Sequence, residues 1–445
     1  MNFIKPYNIN SIPKAEMMPV LDYNSVKIDY SYRQYIKALN VNYLNYAQKF
    51  NGYSNILFVP ETNTSSITDF GAWFSDCNNL VVVPQIDTSN GTRFNSMFAN
   101  CASLIKIPEL NTSNGTSFSS MFKGCSSLKE IPMLDTSNGE SLYNLFQGCT
   151  QLVSIPNINT SNATNIDGMF TGCRSLTSIP AIDTHGISNF SSLFSSCESL
   201  LTIPELDTSN GTAFTSMFSG CSSLTTIPSL NTSNGTEFDY MFSRCSNLTT
   251  IPLIDISGGT SCYSIFNGCS SLTSIPQLDT RNITKFSYMF QDCEKLETIP
   301  VIDTSNGTAF AGMFNGCKSL KSVPEINLCN LSSYSSYIFN DCESLETIGR
   351  LICNSTPTSG MDWIFDGCKS LTDVTIEGTI KVNSNWFLGY SQANSLTVES
   401  LMSLINAFED NAGGTRYTVH IGSTNLAKLT PEQIAVATNK NILLA

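Results

Sequence analysis

The sequence predicts an α/β repeat solenoid, a stack of units about 24 residues long, each helix, turn and short strand, closed by a cap at either end. Three columns carry that prediction. Cysteines from Cys77 to Cys317 recur every 24 residues, and Cys342 and Cys368 follow at intervals of 25 and 26. A phenylalanine stands three residues before each of them, from Phe74 to Phe365. A proline, from Pro60 to Pro324, follows a valine or isoleucine once per unit. The frame also reaches upstream of the first cysteine, because Phe50, Ile56, Val59 and Pro60 precede Phe74, Leu80, Val83 and Pro84 by one period.

Each element of a unit has a local reason, and residues 113–138 show all of them. Thr116 is a plausible helix N-cap, and Phe118, Met121 and Phe122 recur at i, i+3 and i+4, which places them on one face of a short helix. Gly124 follows at the position where a left-handed backbone ends a helix cheaply. The equivalent sites hold glycine, asparagine or aspartate in every unit except two, where Ser196 and Arg244 stand. Beyond Cys125, the apolar series Leu128, Ile131 and Leu134 fits a short extended segment facing a core. Asp135-Thr136-Ser137-Asn138-Gly139 then turns the chain.

No unit can bury its apolar face alone, but stacking sets Phe on Phe, Cys on Cys and Leu on Leu. Fourteen phenylalanine positions at about 4.8 Å per step make an array roughly 60 Å long. Proline has no N–H for a ladder, so every strand is expected to be very short. From Gly349 the proline is gone and the spacing slips, which predicts the end of regular winding there.

The expected organisation is a capping or anchoring segment over 1–49, a solenoid over 50–390 and a capping module over 391–445. In the first, residues 32–50 read as a helix. In the last, a helix is expected near 397–408, a turn at Gly413-Gly414, a strand over 416–421, a helix over 430–438 and a final strand over 441–444.

Composition excludes several functions. Only 13% of the 445 residues are charged and the formal net charge is −13, with no Lys/Arg-rich run, so nucleic acid is not an expected partner. No apolar stretch is long enough to insert in a membrane, and the first residues lack the apolar region of a secretory signal, so the chain is expected to be made and kept in a cytosol. The sixteen cysteines lack CxxC pairs or histidine partners and read as buried thiols. His185 and His420 are the only histidines, and no titratable cluster can assemble around them, so no enzyme, metal or cofactor is expected.

Two rows remain as candidate sites. The first, with Asp87, Asn111, Asp135 and their equivalents up to Asn327, could bind Ca²⁺ or sugar hydroxyls. Asn replaces Asp at four of its positions, so capping of the local turn is the better reading. In the second, Tyr240, Tyr288 and Tyr337 lie two residues before the ladder phenylalanine, and Tyr263, like Tyr143, lies one residue further back. Tyr240, Tyr263, Tyr288 and Tyr337 form the candidate partner surface; scattered aromatic cover over the helix ends is the competing account.

The string Met-Phe-x-Gly-Cys-Ser-Ser-Leu-x-x-Ile-Pro-x-Leu-Asp-Thr-Ser-Asn, nearly verbatim at 121–138 and 217–234, resembles the BspA-like leucine-rich repeat surface proteins. That resemblance implies a leucine-rich-repeat-like stack and an adhesive role. Residues 395–402, 422–430 and 435–440 are similar to a C-terminal module of phage and prophage tail proteins. The second resemblance implies a bacteriophage virion protein assembled in the host cytoplasm, tail-associated or receptor-binding. Its expected partners are other virion proteins, or host-surface glycan or protein. The alternative is an exported adhesin at the bacterial cell surface, binding host glycan or protein.

Overall fold

Phenylalanine stacks on phenylalanine from coil to coil. From Phe50 to Phe365, successive rings of the column lie 5.3–5.9 Å apart, centroid to centroid, and nearly parallel. The structure is a computed structural model that describes residues 50–445, apart from 58, 60–62, 333, 358–360 and 390–395. The segment 1–49, with its expected helix, lies outside the described residues, as does Pro60.

The thiol column lies beside the rings and is buried throughout. Each Sγ donates to the phenylalanine carbonyl of the coil before: Cys125 to Phe98 and Cys245 to Phe218, both at 3.1 Å. That oxygen also accepts the N–H of its own coil's cysteine, as Phe98 does from Cys101. A small apolar side chain with one weak donor suits a site walled by rings but containing a spare carbonyl lone pair.

The helix expected over each Phe-x-x-Met-Phe segment does not form. Met121, Lys123 and Cys125 donate to the carbonyl three residues back, while Phe118, Ser120, Phe122 and Gly124 donate to carbonyls of the following coil. The segment is a run of tight turns that spends every second N–H on its neighbour. An α-helix would spend them all internally and leave the coils joined by side chains alone. The i, i+3, i+4 spacing fits both geometries, because Phe118, Met121 and Phe122 all face the core in either.

The extended segments follow the proline rule. Where both neighbouring coils carry proline, their extended segments share at most a single backbone bond after the leucine, such as Ile105 to Val81 at 3.0 Å. Where proline gives way to Gly349, laddered strands appear. β1 (Ser322–Asn327), β2 (Thr347–Pro357) and β3 (Asp373–Lys381) form a parallel sheet in that order, with Ile326 opposite Leu351 and Leu351 opposite Ile376. Pro324 is tolerated because β1 is the edge strand. Winding therefore does not end at Gly349; without the proline the coils pair more completely.

Buried threonines replace the missing ladder. Thr88, Thr136, Thr160 and Thr208 each donate to a backbone carbonyl of the next coil at 2.6–2.9 Å, and the N–H of Asn231 returns a bond to Thr208 Oγ1 at 2.8 Å. The hydroxyl of Thr112 has no partner among the described residues. Outside this column, Asn90, Asn114, Asn138 and Asn162 each donate from Nδ2 to a carbonyl of the preceding coil.

The far end is closed in two places. Helix α1 (Val398–Ala407), capped by Thr397, lies against the open edge of β3, where Ser400 and Ser403 accept the N–H groups of Val374 and Ile376 at 3.0 and 2.8 Å. A second parallel sheet, β4 (Trp386–Phe387), β5 (Tyr417–His420) and β6 (Ile442–Leu444), continues the turn edge, with Trp363 donating to Phe387. Two further helices, α2 (Ser423–Leu426) and α3 (Pro431–Asn439), complete the module. α3 starts with a Thr430–Gln433 capping box, and Lys440 just beyond it donates to the last carbonyls of α1. The predicted elements of this module are present, with α2 in addition.

Candidate partner surface

Turn geometry fixes which side chains project from the coil edge. From Phe74 to Phe365, the residues two before and two after each ladder phenylalanine are left-handed, as at Ser120 and Gly124 (φ 58° and 74°) or Ser216 and Gly220 (57° and 78°). That conformation is free for glycine and costs about 1–2 kcal/mol for most other residues. Three coils place Gly or Asn at the first site and six place the small Ser or Ala, while most place Gly, Asn or Asp at the second. Tyr240 (φ 61°), Tyr288 (58°), Tyr337 (64°) and Trp363 (64°) hold bulky aromatics at the first, and Arg244 (60°) holds an arginine at the second.

Three of the four candidate tyrosines meet. Tyr263 lies edge-on to Tyr240 at 5.3 Å and to Tyr288 at 5.5 Å, filling the coil whose own left-handed position carries only Ser264. Its phenol is pushed up in pKa by burial and by the neighbouring Tyr240, so it stays protonated. Gly312 follows, and a Cβ there would lie 2.8 Å from Cδ1 of Tyr288, so the glycine leaves the ring its place. Arg244, Asn267 and Gln291 line the open cleft around the three rings, with Asn267 donating to Gln291 at 3.0 Å.

Tyr337 belongs to a second group. It stacks on Trp363 at 6.5 Å, Trp363 on Phe387 at 5.6 Å, and Phe387 on His420 at 4.1 Å. The sequence reading missed the last three. Trp363 was legible, standing two residues before Phe365 as the tyrosines do; Phe387 and His420 reach the row only through the pairing of β4 with β5. Tyr143 is exposed, in a coil that contributes to neither group.

The Asp/Asn row caps its turns, with Asp135 accepting from the N–H and hydroxyl of Ser137 and Asn159 doing the same for Ser161. These bonds hold the carboxyls of Asp87 and Asp135 below their ordinary pKa. Asp183 accepts the backbone N–H of His185, whose imidazole instead meets Asp207 at 3.2 Å in open solvent. Among the described residues no group of three or more His, Cys, Asp or Glu is placed to hold a metal ion. No helix there is long and apolar enough to cross a membrane.

Residues 44–154, 68–180, 164–272 and 260–376 match the sequence family described as "Mycoplasma protein of unknown function, DUF285". No curated protein matches the sequence. Among solved structures, a leucine-rich repeat protein from Bacteroides ovatus is 20% identical over 74% of this chain and 87% of its own, with a TM-score of 0.48. A leucine-rich cell surface protein from Faecalibacterium prausnitzii is 23% identical over 67% and 80%, with a TM-score of 0.34. A leucine-rich repeat protein from Eubacterium ventriosum is 19% identical over 72% and 86%, with a TM-score of 0.36. The family match stops at residue 376, short of the C-terminal module, and gives the virion expectation no support.

Proposed function

This chain belongs to the family described as "Mycoplasma protein of unknown function, DUF285", and on that footing we propose that it is a non-catalytic binding protein of the adhesin type. It holds a partner protein or glycan at a cell surface, against the aromatic turn edge of its C-terminal coils. One observation carries this reading. Tyr240, Tyr288, Tyr337 and Trp363 adopt left-handed backbone at a column where Gly168, Gly312 and Asn144 serve the fold with less strain. Backbone strain of this kind collects where side chains are kept for a purpose other than folding. Aromatic side chains with polar tips supply much of the contact energy in binding surfaces.

The test is saturable binding of the labelled full chain to epithelial cells, repeated with Tyr240→Ser, Tyr288→Gly, Tyr337→Ser and Trp363→Asn combined. These residues suit the same backbone, so the fold persists while binding falls by about tenfold or more. Undiminished binding by the quadruple variant discards the surface. Fractionation of the producing organism decides between adhesin and virion: recovery with the envelope supports the first, and recovery with phage particles overturns it.

A further inference from the structure

The cleft around Tyr240, Tyr263 and Tyr288 contains a cation that the fold does not use. Arg93, Arg174, Arg281 and Arg350 each meet a carboxylate on their own or an adjacent coil. Arg244 is exposed, and its guanidinium has no ion pair or hydrogen bond among the described residues. It also occupies a left-handed position, φ 60°, that glycine fills in the next coil as Gly268. Its side chain runs across that glycine, with Cγ 3.3 Å from where a Cβ on Gly268 would sit. An unpaired arginine in a strained site, in a chain of net charge −13, is a specific feature rather than a share of general surface charge.

Beside it, Asn267 and Gln291 are bound to each other through one donor and one acceptor, which leaves an amide oxygen on the first and an amide N–H on the second. The three phenol rings stand on the same side. Apolar ring faces, a donor–acceptor pair and one free guanidinium match a hydroxylated ring that carries one anionic group.

We propose that this cleft binds a carboxylate-bearing oligosaccharide, with the sugar ring against Tyr240, Tyr263 and Tyr288, its hydroxyls on Asn267 and Gln291 and its carboxylate on Arg244. The inference rests on the aromatic edge being the binding surface. An acidic peptide could pair with both the arginine and the amides; the three tyrosine rings grouped beside them favour the flat apolar face of a sugar ring.

Calorimetry on the full chain tests it with four probes: a hyaluronan tetrasaccharide for uronate, sialyllactose for sialate, lactose as the neutral sugar and a polyglutamate peptide. At least one acidic sugar binds about tenfold or more tighter than lactose, and that preference shrinks as salt is raised. Arg244→Gly, which installs the residue this column favours, erases the preference without harming the fold. Tyr263→Ser weakens acidic and neutral sugar alike. Equal binding of acidic and neutral sugars, or an unchanged preference in Arg244→Gly, overturns the assignment while the aromatic surface stands. Binding of polyglutamate without sugar overturns it in favour of a protein partner. If no probe binds, the inference falls, and the cell-binding variants judge the underlying surface separately.

Discussion

The Sγ of Cys221 lies 3.1 Å from the carbonyl oxygen of Phe194, an oxygen that already accepts the N–H of Cys197. One atom thereby ties the turn of one coil to the thiol of the next. Removing the thiol leaves a small cavity between rings and one weak bond fewer. Cys221→Ala should cost about 1–2 kcal/mol, and Cys221→Ser, which keeps a donor, should cost less. Urea unfolding measures both, and equal losses would show that packing alone matters at this position.

The same burial sets a response to alkali. It pushes the thiols up to about 11 for Cys77 and about 12 for Cys149 and Cys269, and well above the ordinary thiol value for Cys125, Cys197 and Cys221. An unfolded cysteine ionises near pH 8.5. The native chain then holds protons that the unfolded chain has lost. The thiols' contribution is fully present below about pH 8.5 and is lost as pH rises toward 12, each adding about 1.4 kcal/mol per pH unit to the slope. The urea midpoint should stay flat to about pH 8 and drop steeply beyond 9, less steeply as cysteines are replaced by alanine. A midpoint that does not move across this range would show that the native thiols ionise freely.

The threonine column makes a separate prediction. Thr208 both donates to the carbonyl of Asn231 and accepts its N–H, so Thr208→Val strands two backbone groups at an unchanged volume. The expected loss is about 1–3 kcal/mol, largely spared in Thr208→Ser. Amide exchange at Asn231 should quicken in the valine variant only; protection that persists there would mean another group had taken over.

Strain at the left-handed column can be read in both directions. Arg244→Gly should raise stability by about 1 kcal/mol, because glycine adopts φ 60° freely and the arginine has no partner to lose. Gly220→Ala should lower it by at least as much, since φ is 78° and the new Cβ would lie 3.3 Å from Cα of Ser196. Thermal melts of the two variants should move in opposite directions, and a destabilised Arg244→Gly would reveal an intramolecular task for the guanidinium.

At the far end, Ser400→Ala and Ser403→Ala together leave the N–H groups of Val374 and Ile376 without partners on a covered strand edge. The pair should cost about 2 kcal/mol or more and speed exchange along β3 ahead of the other coils. Uniform loss of protection along the array would argue against a local closure.

Much of this is legible in the sequence alone. The 24-residue period gave the rings, thiols and leucines their columns because stacking in register is the one way each unit can bury its apolar face. The prolines foretold the scarcity of strands. The turn ribbon was not legible, since Phe118, Met121 and Phe122 satisfy helical spacing as well as they satisfy alternating turns; only the destination of the Ser120 and Gly124 N–H groups separates the two. Winding beyond Gly349 was misread by treating loss of the proline as loss of the coil. At the candidate site, the register of Tyr240, Tyr288 and Tyr337 was visible, whereas the insertion of Tyr263 between two of them and the role of the cap in adding Phe387 and His420 depend on contacts between coils.

Because nearly every bond that joins neighbouring coils recurs at the same pair of positions, genetic exchange that removes or duplicates whole repeats yields a chain whose C-terminal cap still fits. Reach can therefore drift from strain to strain at little cost to folding. The tyrosine cleft does not share that freedom, since its walls come from consecutive, non-identical coils, and loss of any one of them would separate the rings for good.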